Sequence, residues 1–274
     1  MHVSCRVRKW QLAEQRLGFS VCGDWLQARP MPGLARAMRI GYGPAALPGP
    51  KPMTDSYQQR LNMVESQVRP SDVTDRRIIK AMLEVPREKF VPASLASMAY
   101  MDEPLPVGTA NGAGARTLLA PRTFAKLVQL ADVGPESRVL DVGCATGYST
   151  AVLARLAKRV IALECDQALA ERARHLLEEA GASNAVVVHG RLAAGAPAEA
   201  PYDVILLNGA AETMAAALLE QLGDGGRLVA IAAEGPLCRA QVWRRTGKAF
   251  DARPAFEAGA AVLPGFERPA GFVF

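Results

Sequence analysis

The chain has 274 residues, half of them hydrophobic, 22% charged and 6% aromatic, which predicts one domain with a large core and an appendage. No run of about 18 uncharged apolar residues occurs and no basic start leads into an apolar stretch, so neither a transmembrane helix nor a secretory signal is expected. The net charge of +5 gathers in residues 1–52, with eight Lys/Arg against two acids; the remainder is nearly neutral, which excludes the basic stripe of a nucleic-acid groove.

Residues 1–52 read as a separate extension. Pro30, Pro32, Pro44, Pro48, Pro50 and Pro52 break its second half, and no lasting period survives. The segment is expected to be mostly disordered or loosely attached, with at most a marginal helix from Arg8 to Leu26. The five cysteines, Cys5, Cys22, Cys144, Cys165 and Cys238, contain no C-x-x-C. That argues against a disulfide framework or a metal site and points to a reducing, cytoplasmic setting.

From Met53 the pattern changes. Tyr57, Leu61, Val64 and Val68 recur at helical spacing, and Pro70 ends that helix. Asp72 or Thr74 is expected to cap the next one, with Ile78, Ile79, Met82 and Leu83 inward and Pro86 as the stop. Phe90-Val91-Pro92 and Ala99-Tyr100 follow as extended or loop packing. Leu105 to Ala115, rich in glycine and alanine, reads as a loop and a candidate lid. Pro121 to Leu130 reads as a helix with Phe124, Leu127 and Val128 buried.

After Arg138, strands and helices alternate. The stretch Val139-Leu140-Asp141-Val142-Gly143-Cys144-Ala145-Thr146-Gly147-Tyr148 predicts strand then tight turn, and Ser149 to Leu156 predicts a helix. Glycines at the turn allow positive φ and let a ligand lie on bare backbone, beside the unpaired N–H groups of a helix start. A dinucleotide site wants G-x-G-x-x-G with a pyrophosphate on the helix. Here the pattern is D-x-G-x-x-x-G, and a pyrophosphate has no use for the Asp141 carboxylate. S-adenosylmethionine, cationic at its amino group and sulfonium, suits a nearby acid. Glu164 then closes the strand Val160 to Glu164, where a carboxylate can accept both ribose hydroxyls. Gln167 to Glu179 reads as an amphipathic helix with Leu169, Ala173, Leu176 and Leu177 inward and Gly181 after its end.

Val186 to Val188 and Tyr202 to Leu207 read as further strands, Met214 to Leu222 as a helix, and Arg227 to Ala232 as another strand. Uniformly apolar strands between helices mean a parallel sheet covered on both faces, with ligands at the carboxyl ends of the strands. Asp141, Glu164, Gly190 and Asn208 fall at such ends. Gln241 to Arg244, Ala260 to Leu263 and Gly271 to Phe274 are candidates for closing antiparallel strands. The histidines offer little: His2 lies in the extension, His175 on an exposed helix face, and His189 reads as a satisfied strand-end residue.

From about Met53 to Phe274 the chain resembles the protein-L-isoaspartate O-methyltransferase family. The specific stretches are Ala81-Met82-Leu83-Glu84-Val85-Pro86-Arg87-Glu88-Lys89-Phe90-Val91-Pro92 and Ala99-Tyr100-Met101-Asp102-Glu103-Pro104-Leu105-Pro106-Val107-Gly108. The cofactor turn and Leu222-Gly223-Asp224-Gly225-Gly226-Arg227-Leu228-Val229 fit as well, as they do across class I methyltransferases. The resemblance implies an α/β, Rossmann-like class I methyltransferase: a seven-stranded, mostly parallel sheet with helices on both faces plus an N-terminal helical addition. Residues 53–130 would form that addition and the substrate loop, and residues 131–274 the cofactor-binding sheet. It further implies methyl transfer from S-adenosyl-L-methionine to the stray carboxylate of isoaspartyl residues, the first step in protein repair. The partner is then a protein or peptide carrying that carboxylate; no nucleic acid, membrane or metal is called for, and a monomer is expected.

Cofactor contacts are expected from Asp141, Gly143, Cys144, Ala145, Thr146, Gly147, Tyr148, Glu164, Cys165, Gly190, Arg191, Leu192 and Asn208. Three departures from the family pattern bear on the chemistry. The family's Gly-Gln-Thr-Ile-Ser-x-Pro-like run becomes Ala115-Arg116-Thr117-Leu118-Leu119-Ala120-Pro121. Thr117 is retained as the catalytic candidate, while the family's serine falls on Leu119, which cannot donate to a carboxylate. Arg116 and Arg122 are candidate replacements, and each could equally be a solvated surface charge. The loop from Gly108 to Thr117 is also several residues longer, and the family's Gly-Asp-Gly becomes Gly190-Arg191-Leu192. Carboxylate methylation needs little acid–base machinery, because the acceptor is already ionised near neutral pH. A different acceptor, or cofactor binding without catalysis, stays open at this point.

Overall fold

The computed structural model describes residues 56–110, 114–234 and 237–268. The expectations for residues 1–52 and for Gly271 to Phe274 lie outside the described residues. Helix α1 (Ser56–Met63) runs on through Val64–Val68 as one wider, π-type turn and a short 3-10 turn at Arg69–Ser71. Met63, Val64 and Val68 are buried, but Tyr57 is exposed, so the inward stripe begins later than the spacing predicts. Helix α2 (Arg76–Glu84) is capped by neither Asp72 nor Thr74. Asp75 is the cap, and its carboxylate accepts from the Arg77 N–H at 2.8 Å. Asp72 instead takes a left-handed conformation, φ 63°, just after the 3-10 turn. Ile78, Ile79 and Met82 face inward as expected, and Leu83 is half-buried.

Residues Leu105 to Ala115 are not a plain loop. Strands β1 (Leu105–Ala110) and β2 (Gly114–Leu118) pair antiparallel, with Leu105 opposite Leu118 and Gly108 opposite Arg116. Backbone polar groups lying over a core must pair with something, and here the ribbon pairs with itself. Leu105, Val107 and Leu118 are buried beneath it. Helix α3 (Pro121–Ala131) follows, with Phe124, Leu127 and Val128 buried.

The sheet then assembles in chain order. Strands β3 (Arg138–Val142), β4 (Arg159–Glu164), β5 (Ala185–His189), β6 (Tyr202–Ala211) and β7 (Leu222–Glu234) are parallel. Strands β8 (Leu237–Thr246) and β9 (Ala249–Glu257) add antiparallel, for the order β5-β4-β3-β6-β7-β8-β9. Between them run α4 (Tyr148–Leu153), α5 (Gln167–Glu179) and α6 (Ala216–Glu220). Alternate residues feed two cores. Val139, Val160, Val204 and Leu206 face one core with α3 and α4, while Leu140, Ile161, Ile205 and Leu207 face the other with α6.

Three expectations shift here. The helix expected over Met214 to Leu222 shortens to five residues, because the Gln221 carbonyl accepts from Tyr202 N–H and Leu222 pairs as a strand. Gln241 to Arg244 does lie in an antiparallel strand, but the strand beyond it is β9, which the sequence pattern missed. Ala260 to Leu263 forms no antiparallel strand; it makes one parallel bridge, Val262 to Ala210. Leu263 N–H then donates to the Ala210 carbonyl at 2.9 Å, which lays this segment over the end of β6.

Candidate functional site

At the carboxyl end of β3 the chain turns through Gly143 at φ 75° and Ala145 at φ 51°, then enters α4 from Gly147 at φ 93°. Gly143 N–H donates to the Leu163 carbonyl at 2.8 Å, which ties the turn to the end of β4. The side chains of the turn are already committed. Thr146 donates to the Phe90 carbonyl at 2.6 Å, and the Tyr148 ring packs against Phe90 and Phe124. Cys144 is fully buried, and burial pushes its thiol well up, so it fills space rather than attacking. What the turn presents is backbone.

Asp141 is buried and accepts three hydrogen bonds: from Ser149 at 2.7 Å, from Thr150 at 2.5 Å, and from the side-chain amide of Asn208. Burial pushes its carboxyl up to about 6, against the pull of those donors. Asn208 reaches Asp141 because β6 carries two extra residues between Leu206 and Ala210 relative to β7. Such a bulge re-aims side chains where ladder pairing stops. Asp141 thus fastens β3, β6 and the start of α4 together. Gly209, next on the bulge, is where Leu263 seats; a Cβ there would stand 2.7 Å from the Leu263 side chain.

Glu164, wholly buried, ends β4. Its carboxylate accepts from the N–H groups of Ala145 at 2.7 Å and Cys165 at 2.9 Å, and from Asp166 N–H at 3.3 Å. It is also gripped by Arg116, with Nη2 to Oε2 at 2.9 Å and Nε to Oε1 at 3.3 Å. Arg116 is 2% exposed and reaches in from β2. Of its two open readings neither describes it here: Arg116 is no solvated surface charge, and its fork is on Glu164 rather than free in place of the family's serine. Arg122 is the solvated surface charge that was its other reading. It is exposed and paired with Asp102 at 3.1 Å, since its place in the first turn of α3 faces outward.

The other expected residues spread along the strand ends. Gly190 N–H donates to the Glu164 carbonyl at 2.9 Å, beyond β5. Arg191 is exposed and Leu192 is buried at the start of a 3-10 turn. The Cys165 thiol, half-buried beside Glu164, is pushed up to about 11 by that burial. His189 is exposed with its ring nitrogen 3.1 Å from the Cys165 carbonyl, a satisfied strand-end residue. Thr117 and Leu119 line a narrow cavity with Arg87, Gly143, Ser149 and Asn208. Arg87, fully buried, donates to the Ala99 carbonyl at 2.8 Å and the Leu119 carbonyl at 2.7 Å and stacks over Tyr148, with its Nη1 lacking a hydrogen-bond partner among the described residues. The sequence reading missed Ser149 and Thr150 as partners of Asp141; two hydroxyls directly after the turn were the available signal. Arg87 lies inside the family-specific stretch Ala81 to Pro92, which was the available signal for it.

A model of the family "Protein-L-isoaspartate(D-aspartate) O-methyltransferase (PCMT)" matches residues 58–257. The protein-L-isoaspartate O-methyltransferase of Methanoculleus marisnigri is 39% identical over 173 residues, covering 63% of this chain and 76% of its own. That of Aeropyrum pernix is 43% identical over 180 residues, covering 64% of this chain and 67% of its own. A solved protein-L-isoaspartate O-methyltransferase superposes with a TM-score of 0.65 at 24% identity, over 77% of this chain and 66% of its own. A Plasmodium falciparum structure in complex with S-adenosyl-L-homocysteine superposes with a TM-score of 0.63 at 20% identity, over 74% of this chain and 97% of its own. At those identities the two structures speak for the fold.

Proposed function

The chain belongs to the protein-L-isoaspartate O-methyltransferase family, and from that premise we propose that it transfers a methyl group from S-adenosylmethionine to a carboxylate on a protein, the isoaspartyl side chain first among them. The observation that carries this reading is Glu164, a buried carboxylate closing β4 beside the bare backbone of Gly143. A ribose needs an acceptor for two hydroxyls and a surface it can lie against. Glu164 and the turn supply both once the Arg116 guanidinium stands elsewhere.

In this reading Glu164 holds the ribose. The backbone of Gly143, Cys144, Ala145, Thr146, Gly147 and Tyr148 lines the methionine end, with Asn208 across from it. Cys165, Gly190, Arg191 and Leu192 flank the adenine. Asp141 acts through the three donors it gathers, keeping the turn and the β6 bulge in register. Bound there, the cofactor supplies an electrophilic methyl group on its sulfonium. The chain's own contribution is alignment and the exclusion of water by Leu119, Leu263 and the β1–β2 ribbon. An acceptor carboxylate arrives ionised, so no general base is required. Thr117, half-buried on the cavity wall, is the polar side chain assigned to the acceptor. The residues invoked lie between Leu105 and Leu263, so no role is assigned to residues 1–52 and one chain suffices.

A second reading, a different acceptor on the same cofactor, is favoured by Leu119. The family's serine is replaced by an apolar side chain 4% exposed. Tritiated methyl transfer to an isoaspartyl peptide and to its aspartyl twin separates the two. Incorporation confined to the isoaspartyl peptide supports the first. Equal incorporation into both peptides overturns it in favour of the second; absent incorporation into both, with cofactor binding intact by calorimetry, overturns it as well.

A further inference from the structure

The space just assigned to the ribose is filled by the chain itself. The Arg116 guanidinium grips both oxygens of Glu164, and its Nη2 lies 2.7 Å from where a Cβ on Gly143 would stand. The arginine therefore covers the acceptor and the bare backbone at once. Both partners are buried, 2% and 0% exposed, so solvent screens the pair little. We infer that Arg116 is the residue that sets cofactor affinity, an internal ligand of Glu164 that the ribose hydroxyls must displace. The inference rests on the cofactor reading of Glu164 given above.

The chemistry supports competition over sharing. Glu164 already accepts three backbone N–H groups, two of them at 2.9 Å or less, so the fork and a pair of hydroxyls exceed what one carboxylate can accept. A freed guanidinium beside a sulfonium would also be a like-charge pair. Arg116 must then withdraw along β2, the strand that carries Thr117 and leads into Leu119. Loading the cofactor would thus reshape the acceptor wall, so that the peptide follows the cofactor. When only a fraction of the protein is open, apparent affinity falls by that fraction; a pair closed nine-tenths of the time costs about ten-fold.

Calorimetric titration with S-adenosylmethionine and S-adenosylhomocysteine tests this on the full chain. Arg116→Gln, which restores the family's residue, should tighten both by about ten-fold or more. Arg116→Lys keeps the charge but loses the two-pronged grip; it should tighten binding by a smaller factor, and it covers the case in which glutamine unfolds the chain. Adding Glu164→Gln to Arg116→Gln removes the ribose acceptor with no latch present and should return at least that ten-fold. If neither arginine variant binds tighter than wild type, the latch is overturned while the cofactor site stands. If the double variant binds as tightly as Arg116→Gln, or no protein binds either ligand, the Glu164 reading fails and the latch with it.

Discussion

Replacing Leu119 by serine exchanges stability for a hydrogen bond where the family places its hydroxyl. The side chain is 4% exposed and packs in the core shared by α3 and α4. Serine deletes roughly three carbons at about 0.8 kcal/mol each and leaves part of their volume empty, so a loss of about 2–4 kcal/mol is expected. For a domain of this size that lowers the melting temperature by about 5–15 °C. The backbone should hold position, because the residue 119 carbonyl is fixed by Arg87 at 2.7 Å. The new hydroxyl then faces the cavity shared with Gly143, Ser149 and Asn208. A hydrogen bond to a charged carboxylate contributes about 1.5–3 kcal/mol, or about ten- to hundred-fold in rate if it acts in the transition state alone. Initial rates of methyl transfer to an isoaspartyl peptide, taken well below the variant's melting point, measure it. A folded variant that gains nothing, or a wild type that already turns over briskly, refutes the placement of the acceptor at residue 119.

Two further expectations concern the supports of the site. The Asp141 carboxyl lies at about 6 in the folded chain, above its ordinary value, so the folded state holds a proton that the unfolded chain releases. This group therefore favours folding increasingly as pH falls from about 6 toward about 4; the stability of wild type relative to Asp141→Asn should shift toward wild type by about 1–3 kcal/mol between pH 7 and pH 4, and denaturant melts giving a constant difference would exclude the proton uptake. Arg87→Met keeps the bulk but strands the Ala99 and Leu119 carbonyls, which should cost about 2–4 kcal/mol in chemical denaturation and loosen the acceptor wall; an unchanged midpoint would mean those carbonyls find water.

The parts of the fold that were legible share one cause: burial or backbone angle alone selects their residue types. Strands β3 and β4 are apolar on both faces because helices cover both, and Asp141 and Glu164 stand out against that background. The D-x-G-x-x-x-G turn was legible because positive φ at Gly143 and Gly147 selects the residue type. Residues 105–118 were not, because glycine, alanine and proline carry little strand preference; their pairing comes from the core beneath them. Strand β9, Ala-Phe-Asp-Ala-Arg-Pro-Ala-Phe-Glu, is exposed along nearly its whole length and so lacks the alternation that a half-buried strand shows. The Arg116–Glu164 pair spans 48 residues, and nothing local separates Arg116 from Arg122 as its source.

The two margins of the sheet matter for the kind of molecule the site is proposed to receive. A flexible peptide stretch can dock on any unpaired strand by backbone pairing alone, whatever its side chains. On one margin β5 offers only five residues. On the other, β9 carries Pro254, which has no N–H to donate, and an Asp251–Arg253 ion pair at 2.7 Å. Its ladder with β8 is also interrupted between Ala240 and Gln241. Each margin is thus a poor template, by shortness on one side and by proline, charge and irregularity on the other. A protein that must handle loosened segments of other proteins would keep them from adhering along its flanks. Capture is then decided at the carboxyl ends of the strands, where side-chain chemistry discriminates.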